Sequence, residues 1–186
     1  MLIGCKKSEN NSLSLNHWFS VQQDTVTANL LELNPVKGLV YYKNEPFTGV
    51  SATYMGDDKL FSTIDYVDGK KHGSFKKWYP DGTLSYQGNY VLGKKQGYSK
   101  SWWKNGVQRS EANFEKGVAH GIQLQWYKSG AKFKRLHLNY GKEEGLQQSW
   151  RENGKLYCNY EARNGRIFGL KRANLCYELE DENVKY

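Results

Sequence analysis

Residues 66–82 read YVDGKKHGSFKKWYPDG and residues 90–106 read YVLGKKQGYSKSWWKNG, so the second stretch repeats the first 24 positions later. The same step recurs between residues 42 and 169 without an insertion. A fixed period of this length is typical of a repeat array, in which each unit packs only against its neighbours. The sequence therefore predicts one run of equivalent units.

Glycine and tryptophan mark the columns of this repeat. Glycine occupies three columns: 69, 93, 117, 141 and 165; 73, 97, 121, 145 and 169; and 82, 106, 130 and 154. We name a fourth the tryptophan column, and it contains Tyr54, Trp78, Trp102, Trp126 and Trp150. We expect this column to be a structural stack of aromatic side chains across strands.

Each unit is predicted to be a β-hairpin. Asp81-Gly82 and its equivalents are Asx-Gly or Ser-Gly pairs, which favour a hairpin turn whose two central residues take positive φ. In the first full unit we expect strands at 73–79 and 84–91, a turn at 80–83, and a glycine-rich turn at 68–73 leading in. The predicted fold is all-β, an elongated single-layer antiparallel meander of 24-residue hairpins.

Side-chain alternation predicts which face of this sheet is apolar. Ile122, Leu124 and Trp126 share one face, whereas Gln123 and Gln125 share the other. The face that carries the tryptophan column is therefore expected to be the more buried one.

The repeated pattern Tyr-x-x-Gly-Lys-x-x-Gly-x-x-x-x-Trp-Tyr-x-x-Gly resembles the bacterial MORN-repeat variant proteins, whose members are often described as YwqK-family antitoxins. The resemblance covers about residues 38–169 and departs from the pattern at Leu138 and Arg151, as a terminal capping repeat would. It implies a single-layer β-sheet array that serves as an interaction scaffold. It does not imply catalysis.

The chain divides into four predicted parts. Residues 1–16 are a lipobox-like N-terminus and flexible tether, 17–41 supply leading strands and an N-terminal cap, 42–169 are the repeats, and 170–186 are a closing strand and acidic tail.

Leu2-Ile3-Gly4-Cys5 resembles a bacterial lipobox, which implies lipidation of Cys5 and a membrane-anchored lipoprotein of the cell envelope, on the periplasmic or surface side. Only four residues precede Cys5, so the alternative is an accidental match in a cytoplasmic protein. Cys158 and Cys176 are then either a disulfide or two buried thiols.

The repeats are strongly basic, since residues 66–169 hold 19 Lys and Arg against 8 Asp and Glu within a chain of net charge +8. Lys70, Lys71, Lys94 and Lys95 recur in the turns and could form a row that binds an anionic envelope component. Alternatively, these lysines only keep a flat sheet from aggregating. We do not expect a nucleic-acid ligand.

The remaining polar and aromatic positions give no catalytic constellation. Tyr79, Trp103 and Tyr127 recur on the face opposite the tryptophan column, as scaffold or as a platform for a ligand. His72 and His120 share a position with Gln96 and Glu144, which indicates a polar turn position. We therefore predict no enzyme activity, no cofactor and no metal.

The predicted function is that of a non-enzymatic protein-interaction scaffold on a lipid-anchored envelope protein. The first alternative is a cytoplasmic, YwqK-like antitoxin that neutralises a cognate toxin by binding it. The second is a binder of polyanions or lipid surfaces through the basic repeat face. The sequence predicts a protein partner without naming it.

Overall fold

The computed structural model describes residues 24–56 and 58–170, together with two short strands at 179–180 and 183–184. In these residues the single helical element is a 3₁₀ turn, Ala28–Leu30, and all other regular structure is β-strand. Nowhere in the described part of the chain does a helix have the length and hydropathy that a bilayer span requires. The predicted all-β class is confirmed.

The strands are numbered along the chain. They are β1 Thr25–Thr27, β2 Glu32–Asn34, β3 Leu39–Tyr42, β4 Glu45–Pro46, β5 Gly49–Met55, β6 Lys59–Val67, β7 Lys70–Trp78, β8 Leu84–Val91, β9 Lys94–Lys95, β10 Gly97–Trp102, β11 Gln108–Glu115, β12 Val118–Trp126, β13 Lys132–Asn139, β14 Lys142–Glu143, β15 Gly145–Trp150, β16 Leu156–Arg163, β17 Arg166–Leu170, β18 Leu179–Glu180 and β19 Asn183–Val184.

Fourteen of these strands form one sheet, whose order from β5 onward follows the chain. Successive strands from β5 to β17 pair antiparallel, with β9 and β14 attached beside β8 and β13. The exception is β1, which pairs parallel to β5 and so forms the N-terminal edge of the sheet. Strands β2, β3 and β4 make a separate small sheet, and β18 pairs with β19. The predicted antiparallel meander of hairpins is confirmed.

The predicted end segments are described only in part. Strands β1 and β2 fall within the expected leading segment, 17–41. The expected closing strand at 169–177 overlaps β17 only at Gly169 and Leu170, and its remainder lies outside the described residues. Residues 1–16, with Cys5, and the partner thiol Cys176 also lie outside them.

The structure corrects the predicted turn at 80–83. Gly82 has a φ of 84°, but Asp81 does not share its left-handed conformation. The Gly82 N–H donates to the Tyr79 carbonyl at 2.9 Å, and the Tyr79 N–H donates to the Thr83 carbonyl at 2.8 Å. This is a three-residue loop with glycine in the left-handed position, a geometry that requires positive φ only there.

The turn with two left-handed residues lies instead between units. At Asp68-Gly69 the two φ values are 48° and 75°, and the equivalent pair Leu92-Gly93 has 48° and 83°. The predicted turn at 68–73 is therefore wrong, because a two-residue turn lets β7 begin at Lys70. In four of these turns the glycine also binds the preceding unit, as the Gly93 N–H does by donating to the Lys71 carbonyl at 2.8 Å.

A β-bulge lies beside every residue of the tryptophan column. Lys77 pairs with Tyr86 and Trp78 pairs with Leu84, so Ser85 is the extra residue of β8. The same shift makes Arg109 the extra residue of β11. Bulges of this kind redirect a side chain and increase the local twist.

Successive units alternate between an unbroken and a broken first strand. Strands β7 and β12 run without interruption through Gly73 and Gly121, whereas Gln96 separates β9 from β10 and Glu144 separates β14 from β15. The unbroken strands carry histidine immediately before the glycine, and the broken ones carry Gln or Glu.

The more buried side of the sheet is opposite the tryptophan column, so the prediction of an apolar, buried tryptophan face is wrong. On the tryptophan face Ile122 is 43% exposed, whereas Gln123 on the other face is 7% exposed. We call this other side the inner face and define it by one repeat position: Ser51, Phe75, Ser99, Gln123 and Gln147. The position favours polar residues because the neighbouring glycine bulges leave backbone groups there that need partners.

Gln147 is the clearest example of such a partner. Its side chain is fully buried. Its Nε2 donates to the His137 carbonyl at 2.7 Å, and its Oε1 accepts from the His137 N–H at 3.0 Å. The side chain thus gives the His137 N–H its partner at the bulge, while the His137 carbonyl also accepts from the Glu144 N–H at 3.0 Å.

We predict that Gln147→Ala destabilises the protein by about 2–3 kcal/mol, because it leaves the His137 N–H without its partner and removes a fully buried side chain. Gln148→Ala is the matched control, since Gln148 lies on the tryptophan face with one bond of 3.2 Å to Asn159 Oδ1. It should cost less than about 1 kcal/mol. Urea denaturation of the full chain measures both, and equal losses would contradict the role given to Gln147.

A second prediction concerns Leu92, which is 62% exposed and has a φ of 48°. Left-handed φ costs leucine more than it costs asparagine. Leu92→Asn should therefore stabilise the protein by about 0.5–1 kcal/mol. The reverse exchange at the equivalent position, Asn164→Leu, should destabilise it by a similar amount, as read from thermal unfolding; a neutral or destabilising Leu92→Asn would disprove the strain.

Candidate functional site

Lysines on the inner face lie over aromatic rings. The Lys71 Nζ is 5.9 Å from the ring centre of Phe75 and 5.5 Å from that of Tyr90. The Lys95 Nζ is 5.7 Å from Tyr86 and 4.8 Å from Phe114. An ammonium held in this way keeps its charge and leaves N–H groups for another ligand.

Two further cations extend the arrangement across the strands. The Lys77 Nζ lies 5.3 Å from the Phe75 ring centre, and the Arg109 guanidinium lies 4.6 Å from that of Trp103. Arg109 is the bulge residue of β11, which explains why its side chain turns toward Trp103. We call this surface the lysine–aromatic face, and it comprises Lys71, Phe75, Lys77, Tyr86, Tyr90, Lys95, Trp103 and Arg109.

The cations of the lysine–aromatic face have no carboxylate partner among the described residues. Ion pairs between described residues join Lys100 to Glu111, Lys104 to Asp81, and Arg163 to Glu161. None of these involves a cation of the face. Its positive charge is therefore available to an external anion.

An open depression of about 440 Å³ lies in the middle of this face. Phe75, Lys77 and Tyr86 line one part, and Lys95 and Arg109 line another. Its lining thus combines basic groups with aromatic rings.

Gly88 makes room for the ring of Tyr86 in the depression. A Cβ at Gly88 would lie 2.6 Å from the Tyr86 hydroxyl and 3.2 Å from the Ser99 Cβ. The Tyr86 hydroxyl is buried and has no hydrogen-bond partner within the described structure. A buried hydroxyl without a partner is costly, and a bound acceptor would satisfy it.

Burial raises the pKa of three tyrosines, of which Tyr90 belongs to the lysine–aromatic face. Burial raises the pKa of Tyr66, and that of Tyr90, where neighbouring tyrosines add to the effect. The pKa of Tyr160 is raised by burial and then by its hydrogen bond to Glu143 Oε2, at 2.8 Å. These three hydroxyls therefore remain protonated at neutral pH and can donate hydrogen bonds.

The four lysines of the predicted anion row occupy two environments. Lys70 and Lys94 are exposed, whereas Lys71 and Lys95 are half-buried and lie over aromatic rings. The structure thus places only Lys71 and Lys95 on the lysine–aromatic face. Anion binding by the row stays a prediction.

The second aromatic column connects consecutive units. The Tyr79 hydroxyl donates to the Trp102 carbonyl at 2.9 Å, and the Tyr127 hydroxyl does the same to the Trp150 carbonyl at 2.9 Å. The Trp103 Nε1 donates to the Trp126 carbonyl at 3.2 Å. These contacts fit the scaffold interpretation, and the ligand platform stays a prediction.

The residues of the tryptophan column share a backbone feature and do not stack on one another. Tyr54, Trp78, Trp102, Trp126 and Trp150 occupy equivalent positions, each at a bulge. The ring contacts found in the described residues involve Tyr, Phe and His, and the expected stacking of one tryptophan on the next is not among them. Equivalent positions two strands apart are about 10 Å from one another, which is too far for ring contact.

The departure at Arg151 has a local explanation. Its guanidinium lies 5.4 Å from the ring centre of Tyr157, the bulge residue of β16. In an earlier unit the aromatic Trp103 pairs with the bulge residue Arg109. Both units keep an arginine–aromatic pair, with the two partners exchanged.

Gln96 and His120, two of the four residues at the position shared with His72 and Glu144, accept hydrogen bonds from the next turn. Gln96 Oε1 accepts from the Lys116 N–H at 3.0 Å, and His120 Nδ1 accepts from the Tyr140 N–H at 3.4 Å. These contacts give the polar turn position a structural role.

Among the described residues, the Cys158 thiol and the possible metal ligands add no further site. Cys158 is half-buried in β16 opposite Ser149, and its predicted disulfide to Cys176 lies outside the described residues. In the described part of the chain, no group of three or more His, Cys, Asp and Glu side chains is placed to hold a metal ion.

Sequence reasoning missed the inner-face residues Lys77, Tyr86 and Arg109. Lys77 is two residues from Phe75 on β7, and Tyr86 is two residues from Gly88 on β8, so all four lie on the same face. This two-residue spacing is visible in the sequence. Arg109 gives no such signal, because the bulge that redirects it is not encoded by a residue type of its own.

The comparison with known families matches one unit of this array. The family model of the MORN repeat variant matches residues 71–91, which span most of β7 and all of β8. MORN repeats are generally modules for interaction with proteins or lipids, and the family is not an enzymatic one. No curated protein matches the chain. The MORN-repeat part of the resemblance is confirmed.

We predict that Tyr127→Phe destabilises the protein by about 1 kcal/mol, because it removes the hydroxyl that binds the Trp150 carbonyl. Tyr98→Phe is the control, since Tyr98 is 60% exposed on the tryptophan face. Denaturant unfolding should detect no change for the control. An unchanged stability for Tyr127→Phe would remove the structural role and favour the ligand platform.

Proposed function

We propose that this protein is a non-enzymatic interaction scaffold whose contact surface is the lysine–aromatic face. One observation carries the proposal: a repeat sheet presents Lys71, Lys77, Lys95 and Arg109 on one side without carboxylate partners among the described residues. Charge of one sign on a rigid surface attracts and orients an oppositely charged partner. The interaction role of MORN repeats supports the same proposal.

We further propose that the scaffold is held at the bacterial cell envelope by a lipid on Cys5. The lipobox-like Leu2-Ile3-Gly4-Cys5 and the polar stretch at 6–16, which suits a tether, support this anchoring. The intact mass of the natively expressed protein tests it. A diacylated or triacylated Cys5 supports the proposal, and a chain that retains an unmodified Met1 contradicts it.

The alternative is a cytoplasmic antitoxin that binds a cognate toxin. The resemblance to YwqK-family proteins supports it, and the unmodified Met1 would favour it.

A binder of polyanions or lipid surfaces is the second alternative, supported by the basic repeats. For that role, affinity should fall steeply with salt and disappear when Lys70, Lys71, Lys94 and Lys95 are neutralised.

The scaffold role is tested by cross-linking and co-purification of the full chain from its native cell. We expect Lys77→Gln with Lys95→Gln to lose the cross-linked partner. Lys104→Gln with Lys128→Gln is the matched control, because it removes the same charge from exposed turn positions. The control should retain the partner. A wild-type chain that cross-links to no protein, or equal retention by both variants, would contradict the proposal.

A further inference from the structure

We propose that the depression in the lysine–aromatic face binds an extended acidic segment of a protein partner, with carboxylates at alternate residues. The proposal rests on the scaffold function and adds the chemistry of the partner. Four donor groups at three points define it: the Lys77 ammonium at one end, Lys95 with the Tyr86 hydroxyl at the centre, and the Arg109 guanidinium at the other end.

The lining of the depression selects an anion. Lys77, Lys95 and Arg109 line it, and no carboxylate is among its lining residues. Tyr86 also lines it, and the Tyr86 hydroxyl is buried without a partner within the described structure. An anionic oxygen would accept from this hydroxyl and from the cations, and charge-assisted bonds of this kind are the stronger ones.

The spacing of the donors selects an extended chain. Lys77 pairs with Tyr86, Tyr86 with Ser101, and Ser101 with Ser110 beside Arg109, so one row crosses the four strands β7, β8, β10 and β11. Three strand spacings are about 14 Å. An extended peptide covers about 13 Å in four residues, and its alternate side chains point to the same side. Carboxylates at positions i, i+2 and i+4 would therefore meet Lys77, the centre with Lys95 and Tyr86, and Arg109.

The aromatic rings supply contacts for the rest of such a segment. Phe75 and Tyr90 also line the depression, and their ring centres are 6.1 Å apart. Because the depression is open along the face, a peptide can enter from the side and leave its intervening side chains in solvent. The rings also fix Lys71, Lys77 and Lys95, which reduces the entropy lost when a carboxylate binds.

The test uses two synthetic peptides of equal charge, labelled for fluorescence anisotropy and titrated with the full chain at fixed low salt. The first is a seven-residue serine peptide with glutamate at positions 2, 4 and 6. The second has the three glutamates contiguous at positions 3, 4 and 5. We expect the alternating peptide to bind about fivefold more tightly, because only it directs three carboxylates to one side. Equal affinities would overturn the proposal.

Substitutions locate the site. Lys77→Gln and Arg109→Gln should each weaken the alternating peptide about fivefold, whereas Lys128→Gln, on an exposed turn, should change it less than about twofold. Gly88→Ala should also weaken binding, without changing charge, because the added Cβ displaces the Tyr86 hydroxyl. Thermal unfolding confirms that each variant is folded. An equal loss for Lys128→Gln would reduce the effect to net charge and overturn the site.

Two other occupants are distinguished in the same assay. Tighter binding of inorganic pyrophosphate than of the alternating peptide would assign the depression to small phosphate ligands. The chain itself has acids at alternate positions, Glu178, Glu180 and Glu182. If their joint substitution by glutamine raises peptide affinity about fivefold or more, the chain's own segment is the occupant. Either result overturns the partner proposal, and neither affects the cross-linking test of the scaffold function.

Discussion

The structure depends on hydrogen bonds that fix each hairpin to the next at both of its ends. At one end Gly69, Gly93, Gly117 and Gly141 each donate the N–H to the preceding unit, with the same length of 2.8 Å. At the other end Tyr79, Trp103 and Tyr127 donate to the backbone of the following unit. A single-layer sheet has little apolar area to bury, so these repeated polar contacts define the register of its units.

The constant register gives the lysine–aromatic face its order. Phe75 of β7 pairs with Gly88 of β8, so its ring contacts Tyr86 and Tyr90 on either side of that glycine, and Lys95 of the next unit lies over the Tyr86 ring. The same bulges that end the strands direct Arg109 toward this surface. The candidate site is thus a product of the repeat geometry. It is nevertheless confined to particular units, because the position of Phe75 is Ser99 and Gln123 in the units that follow.

The period of the sequence predicts the architecture, and its residue types predict less about faces and turns. The 24-residue columns establish the hairpins and place β8 at residues 84–91, as expected. The prediction placed the turn with two left-handed residues within each hairpin, but the structure has it between hairpins. The sequence hides this because Leu92 and Tyr140 occupy left-handed positions that usually favour Asn, Asp and Gly. The buried face was misassigned, because Gln123 and Gln147 are polar by type and are buried through hydrogen bonds to the backbone. Arg109 could not be placed without the bulge.

The alternation of unbroken and broken strands gives this array a larger structural period than its sequence columns suggest. Strands β7 and β12 are equivalent, and so are the divided pairs β9 with β10 and β14 with β15. The true structural repeat is therefore a pair of hairpins, or 48 residues. Gene duplication or deletion would preserve the molecule's geometry when it acts on such doublets, whereas the gain or loss of a single 24-residue segment would put two hairpins of the same kind side by side.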